Sequence, residues 1–462
     1  VKKIFKILLF LAAGIAGPMC YAQSGMIRGA DLSILKRIED NNGVFTENGI
    51  VKDAIQIFKS HGVNYVRLRL WNNPSDGYSN LASTIVLAKR VKQAGMNWLL
   101  DFHYSDTWAD PAHQIKPAAW DGISFEALKD SVYSYTKNVL TKLKEENILP
   151  GMVQIGNEIT NGFLWNDGRV GGIYDTPAQW NNLTSLLKKG VDAVAEINSG
   201  GAMIKTIIHL DAGGNQDACR RFFDSLAAHN VQYDYIGLSY YPWWQGELYK
   251  LSANLYSLAY KYNKGIILAE TAYPWTLQWY DNTNNIVGDS SHLLTGYPAS
   301  AEGQTAFLNS IKQIIKSVPE QLGRGYFYWE PDWISTPAFG SGWENCALFN
   351  FSGEVLSSIH TFEEENAVSE NLETRKSFEL FQNYPNPFNP STKIEFNLPE
   401  RSRVTLNIYN SLGQKTAQLL DCEKGPGRIS ITWDASGTAA GVYFCELKYG
   451  QSRRVKKLTF IK

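Results

Sequence analysis

Two segments of the chain end in the same way. Met152-Val153-Gln154-Ile155-Gly156-Asn157-Glu158 and Gly265-Ile266-Ile267-Leu268-Ala269-Glu270 are apolar runs of strand length that stop in a carboxylic acid. Each therefore sets a glutamate at a strand tip instead of inside a core. In barrels of parallel strands, active sites collect at those tips. A lone Asn-Glu there reads as the start of a solvated loop, but two glutamates at corresponding strand ends can form the acid/base pair that splits a glycosidic bond. Strand alternation puts further polar residues on shared faces: Arg67 with Arg69, Asp101 with His103, His209 with Asp211, Ser239 with Tyr241, and Phe327 with Trp329. Charges repeated on the inner face of a barrel are costly unless they pair around a site.

The elements that must carry these residues repeat along the chain. Strand-like runs fall at 27–31, 65–71, 98–103, 153–158, 206–211, 235–241, 266–270 and 326–330. Between them lie helical patterns, among them 50–60, 83–94, 125–146, 177–197 and 302–318, with apolar residues every three or four positions. Eight such units in succession predict a closed (β/α)₈ barrel. The loops after several strands are rich in Trp and Asp, at 105–111, Trp243-Trp244, 275–279 and 331–343, as expected of an aromatic cleft with polar tips. Within the loop at 275–298, Asp281 to Asn285 offers oxygen ligands at alternate positions, which suits either a calcium ion or a solvated turn.

The chain has 462 residues with 44 basic and 45 acidic side chains, a net charge of -1 without charge blocks, so nothing favours nucleic acid or an anionic membrane surface. A neutral ligand is expected. The 14 Trp, 24 Tyr and 21 Phe suit flat surfaces that stack on sugar rings. Lys2, Lys3 and Lys6, the apolar stretch 7–16 and Ala22 read as a signal peptide over 1–22. Cys219, Cys346, Cys422 and Cys445 lack metal-ligand spacing, and their pairing stays open. The catalytic part is expected over 23–362 and an acidic, polar linker over 363–377. After it, period-2 runs punctuated by Gly and Pro at 378–462 predict a small β-sandwich with no catalytic pattern.

Longer stretches carry a resemblance: GADLS from Gly29, YVRLRLWNNP from Tyr65, DFHYSDTWADP from Asp101, IGNE from Ile155, DYIGLSYYPWW from Asp234, AETAYPW from Ala269, YFYWEPDW from Tyr326 and GSGWENCALFNF from Gly340. In this order they resemble the family 53 glycoside hydrolases, retaining endo-β-1,4-galactanases of (β/α)₈ fold. The resemblance implies that Glu158 is the general acid/base and Glu270 the nucleophile. It implies that Asn157 holds the sugar 2-hydroxyl, that Tyr241 bonds the nucleophile, and that Arg67 or Arg69 orients and ionises Glu270. Asp101, His103, His209 and Trp329 complete the reacting-sugar subsite, with Asp31, Asp110, Asp211 and Trp343 as further contacts. Some members hold calcium in the loop after the nucleophile strand, which would place a structural ion at Asp281 and Asn285, here in a loop poorer in aspartate than that pattern. The C-terminal part, with FQNYPNPFNPST from Phe381, GVYF from Gly441 and the basic 453–457, resembles the sorting domain of the type IX secretion system.

These readings imply hydrolysis of β-1,4-galactan, the neutral side chains of pectin, by a monomer that needs no cofactor and that is exported by the type IX machinery to the medium or the outer-membrane surface. A mannanase- or arabinanase-like enzyme of the same clan would share fold and glutamates, and the loop motifs favour galactan. A binding protein that had lost turnover would need neither glutamate.

Overall fold

The computed structural model describes residues 25–364, 378–383, 386–450 and 452–461. The expected signal peptide and most of the expected linker lie outside these. Eight strands, β1 (Ile27–Asp31), β2 (Tyr65–Leu70), β3 (Asn97–Phe102), β4 (Met152–Ile155), β5 (Lys205–Leu210), β6 (Tyr235–Tyr240), β7 (Gly265–Thr271) and β8 (Gly323–Tyr328), pair in parallel and in sequence until β8 returns to β1. Helices α1 (Leu35–Asp40) and α2 (Ala54–Ser60) lie between β1 and β2, and α3 (Leu81–Gln93), α4 (Phe125–Glu145), α5 (Pro177–Ser199), α6 (Gln216–Ala228), α7 (Leu248–Tyr262) and α8 (Ala301–Ser317) follow β2 to β7 in turn. Four of the long helices start where a side chain can take the orphan N–H groups of the first turn: Asn80, Ser124, Thr176 and Ser300 each cap one. After β8 the chain closes with the 3₁₀ turn Ser357–Phe362, docked on α8 through Lys312 Nζ, which donates to Thr361 O at 2.8 Å.

The barrel interior is divided by depth. Its floor is a layer of Ile27, Tyr65, Leu99, Met152, Ile207, Ile267 and Phe327, drawn from seven of the eight strands. Gly29 carries no side chain because a Cβ there would lie 2.2 Å from the Phe327 ring. One layer up the inward positions turn polar on five strands, with Asp31, level with Arg67, and Arg67, Asp101, Gln154 and His209 all buried. On β7 simple alternation from Ile267 would aim Ala269 inward and Glu270 outward. The register between β6 and β7 slips there, from Leu238 opposite Leu268 to Ser239 opposite Glu270, so a bulge re-aims the glutamate.

Two expectations need correction. The segment expected to be helical from Ile50 begins as a short hairpin, Thr46–Glu47 paired with Ile50–Val51, and the helix starts only at Ala54, where Asp53 accepts from Ile55 N and Gln56 N. The acidic stretch taken as linker from Glu363 opens with two residues bound to the barrel. Glu363 pairs with His61 and His360, and Glu364 with Arg28, at the barrel's base.

The C-terminal part forms two antiparallel sheets. One is β9 (Glu379–Leu380), β10 (Ser391–Leu398) and β13 (Gly427–Asp434); the other is β11 (Ser402–Asn410), β12 (Lys415–Lys424), β14 (Gly441–Tyr449) and β15 (Ser452–Phe460) in the order β12-β11-β14-β15. Their inward residues, including Phe388, Phe396, Leu406, Trp433, Leu447 and Phe460, make one apolar core, as the alternation predicts of a sandwich. Cys219, Cys346, Cys422 and Cys445 are all free thiols.

Candidate active site

Glu158 stands just past β4 on a sharp turn. Gly156 adopts φ +85°, where a Cβ would also meet Ile159 Cγ2 at 2.7 Å, and Glu158 itself is left-handed at φ 49°. This uncommon backbone for a glutamate lifts its carboxyl into the cleft. Ser239 Oγ donates to Glu158 Oε1 at 2.5 Å and lies 2.8 Å from His209 Nε2. Gln154 Nε2 at 2.8 Å and the Glu158 N–H at 3.4 Å both aim at His209 Nδ1, and Asn157 Oδ1, 3.0 Å from it, already accepts from Arg67 and Gln154, so the ring proton is assigned to Nε2. His209 therefore donates to Ser239, which donates to Glu158. Burial, and then Arg67, hold His209 well below its ordinary pKa, so this chain passes no charge to the glutamate.

Glu270 meets a different set. Arg67 Nη2 lies 2.9 Å from its Oε1, and Tyr241 OH donates to its Oε2 at 2.9 Å. The same guanidinium holds Asp31 at 2.7 Å, Asp101 at 2.7 Å and Asn157 Oδ1 at 2.8 Å. Asn157 Nδ2 is turned by a 2.8 Å bond to Ala109 O. His103 accepts from the Ala109 N–H at Nδ1, which leaves its Nε2–H to donate to Asp101 at 3.1 Å. Of the two candidate arginines, Arg67 is the partner of Glu270. Arg69 pairs with buried Glu330 and lies 4.1 Å from the Trp108 ring centroid.

A carboxylate oxygen of Glu158, one of Glu270 and a ring nitrogen of His209 all lie within 4.8 Å of one another. Inverting glycosidases keep their carboxyls ~6.5–9.5 Å apart to admit a water, and retaining ones ~5–5.5 Å. The two environments separate the acids. Burial raises Glu158 well above the ordinary carboxyl range, and the charge on Glu270 and then Asp211 push it further. Burial also raises Glu270, but Arg67 and the Tyr241 hydroxyl pull against that shift. The first proton lost by the pair therefore leaves Glu270, and Glu158 keeps the second.

Above the pair opens a cleft of about 310 Å³, lined by Arg67, Arg69, His103, Asp110, Asn157, Glu158, Tyr241, Glu270, Trp329 and Trp343 among the expected residues. Trp343 stands edge-on to Trp329 at 4.6 Å and donates to Trp329 O at 3.1 Å. Asp31, Asp101, His209 and Asp211 do not line it. The first two hold Arg67 from behind, His209 lies under Glu158, and the Asp211 backbone N–H is tied to Thr160. The buried charge of Asp31 and Asp101 balances and orients Arg67. The strand-tip reading passed over Ser239 and Gln154 as site residues; alternation placed Ser239 beside Tyr241, but nothing in Met152-Val153-Gln154-Ile155 marked its one amide. Trp108, Trp244 and Trp333 also line the cleft, in the loops whose Trp content had suggested a sugar surface.

Of the residues suggested for calcium, Asn285 keeps a buried Oδ1 without a partner among the described residues, whereas the Asp281 carboxylate is already engaged. Asp281 accepts from Thr283 N at 2.5 Å, Ser335 Oγ at 2.6 Å and Ser341 N at 2.8 Å, donors that hold its carboxyl below the usual range and clasp two loops. A carboxylate turned toward three donors is poorly placed to face a cation.

Comparison with known proteins agrees with this geometry. The model for glycosyl hydrolase family 53 matches residues 27–362. The chain belongs to that family. A family 53 catalytic domain from Ignisphaera aggregans superposes with a TM-score of 0.68 at 39% identity, covering 73% of this chain and 95% of that one. A protein of Niallia circulans is 47% identical over 344 residues, covering 73% and 93% of the two chains. An arabinogalactan endo-β-1,4-galactanase of Cellvibrio japonicus is 36% identical over 359 residues, covering 76% and 93%. Residues 382–462 match a secretion system C-terminal sorting domain. The family 53 barrel thus supplies the cleft, and the sandwich beyond it is an address.

Proposed function

We propose that this chain is an endo-acting β-1,4-galactanase that hydrolyses galactan and type I arabinogalactan with retention of configuration. The observation that carries the proposal is the close approach of Glu158 and Glu270 in environments that hold the proton on Glu158 and let Glu270 ionise first. Glu270, steadied by Arg67 and Tyr241, attacks the anomeric carbon. Glu158 gives its proton to the leaving oxygen, and no other ionisable side chain in the cleft is so placed. Once the glycosyl-enzyme forms, the charge on Glu270 is gone, and the main electrostatic cause of Glu158's raised pKa goes with it. Glu158 then takes a proton from water, which releases the sugar and restores both carboxyls. Asn157, turned by Arg67 and Ala109, faces the cleft where the sugar 2-hydroxyl would lie. The Trp lining gives neutral sugar rings a stacking surface.

The choice of galactan is supported by the Cellvibrio relative's name and by the aromatic cleft. We infer export by a type IX pathway from the sorting-domain match. The deciding experiment incubates the protein with a panel of β-1,4-linked galactan, mannan, xylan and glucan, sizes the products, and follows the first anomer by NMR. Internal cleavage of galactan giving the β-anomer first is expected. Faster turnover of another backbone would move the substrate assignment, and an α-anomer as first product would overturn the double displacement.

A further inference from the structure

On the opposite end of the barrel from the cleft, the geometry points to a transition-metal site of the zinc(II) class formed by His61, His360 and Glu363. His61 caps the C-terminus of α2 in the loop that enters β2, so it lies at the N-terminal ends of the strands. His360 and Glu363 stand three residues apart on the closing 3₁₀ turn and its cap. One ligand atom from each residue lies within 4.8 Å of the other two. Zinc holds His nitrogen and carboxylate oxygen at ~2.0–2.2 Å, and two imidazoles with a carboxylate and a water is a ligand set it takes.

The partners of the two rings argue for a cation. His61 Nε2 is engaged by Glu47 Oε1 at 2.6 Å, and Glu47 is itself held by Lys52. A carboxylate behind the ring is the partner that metal-bound histidines carry, and it orients His61. His61 Nδ1 lies 2.9 Å from Glu363 Oε1, and His360 Nδ1 converges on the same oxygen at 2.6 Å. Two imidazole nitrogens and a carboxylate oxygen thus converge on one point, where a single metal ion would engage all three. The frame is already built: the two rings stand edge-to-face at 4.8 Å, and the loops touch backbone to backbone, since a Cβ on Gly62 would meet Phe362 O at 2.5 Å. The ion would join α2 to the place where the chain leaves the barrel, so its role is structural.

The test uses the full chain, stripped with a chelator and titrated with zinc alone, reading bound metal by mass spectrometry and Tm by calorimetry. About one zinc per chain and a raised Tm are expected. His360 and Glu363 are 59% and 49% exposed, so His360→Ala and Glu363→Gln should fold. Both should lose the bound zinc and the zinc-dependent rise in Tm while keeping galactan turnover. Glu47→Gln, acting only through His61, should weaken binding by roughly 10–100-fold. Absence of stoichiometric zinc would overturn the proposal, as would binding that survives in both variants. Zinc bound instead at Glu158, His209 and Glu270 would reveal itself by inhibiting turnover, and would overturn it too.

Discussion

Tyr241→Phe removes one oxygen and leaves the ring in place, so it isolates what the hydroxyl does for Glu270. The hydroxyl donates to Glu270 Oε2 at 2.9 Å inside a buried site. A hydrogen bond to a charged group is worth about 1.5–3 kcal/mol. Because one pKa unit corresponds to about 1.4 kcal/mol, its loss should raise the pKa of Glu270 by about 1–2 units. The sign follows from the bond itself: it favours the ionised carboxyl, so removing it favours the proton. The acid limb of the kcat/KM profile, which reports ionisation of the nucleophile in the free enzyme, should therefore move about 1–2 pH units upward, while the basic limb set by Glu158 moves far less. Measured on soluble galactan across the full profile, well below the limb the variant should be about 10–100-fold slower than wild type, and the gap should narrow toward the plateau. An acid limb that stays in place would refute the role of the hydroxyl and would leave Arg67 as the sole device that ionises the nucleophile.

Other outcomes follow from the same geometry. Glu270→Ala should lose turnover on galactan, whereas Glu158→Ala should still react with an activated aryl galactoside and be rescued by azide as the β-azide; absence of that rescue would overturn the assignment of the acid. Glu158→Gln should raise Tm at pH 7. A carboxyl whose folded pKa is raised contributes stability in full below its unfolded pKa and loses it as pH rises, so the gain should fade toward acid pH, and a Tm difference independent of pH would refute it. Truncation after Glu364 should leave activity and the Tm of the barrel unchanged, but truncation before Glu363 should lower Tm, because Glu363 and Glu364 bond to His61, His360 and Arg28. Equal Tm values for the two truncations would show those contacts to be idle.

What could be read from the sequence was what depends on local pattern. The eight strands stood out because each is a buried apolar run with a polar end, and Glu158 and Glu270 were found because their runs stop so abruptly. The hairpin at 46–51 was hidden because Ile50, Val51, Ala54, Ile55, Ile57 and Phe58 together mimic a helical stripe; only the cap at Asp53 divides them, and Ile50 and Val51 are exposed. Alternation placed Arg67 and Arg69 on one face but could not say which reaches Glu270. That choice depends on β8 closing against β1, which brings Glu330 to Arg69 and takes it out of contention. The inward aim of Glu270 depends likewise on a bulge between two strands, and one strand's sequence does not encode its neighbour's register.

The arrangement around Arg67 has a consequence for how such an enzyme can change. One planar group touches side chains carried on β1, β3 and β7 and on the turn after β4, so the relative positions of the reacting groups are set by a shared datum below the cleft. The Trp surfaces that would grip the polymer sit instead on loops above it. Recognition and chemistry are thus mechanically separate, and a loop can be lengthened or exchanged to suit a different glycan without disturbing the bond-breaking pair. The same separation makes the datum itself unforgiving: no single replacement at Arg67 offers a fork that can hold four partners at once, so variation there has to arrive with compensating changes on several strands or not at all.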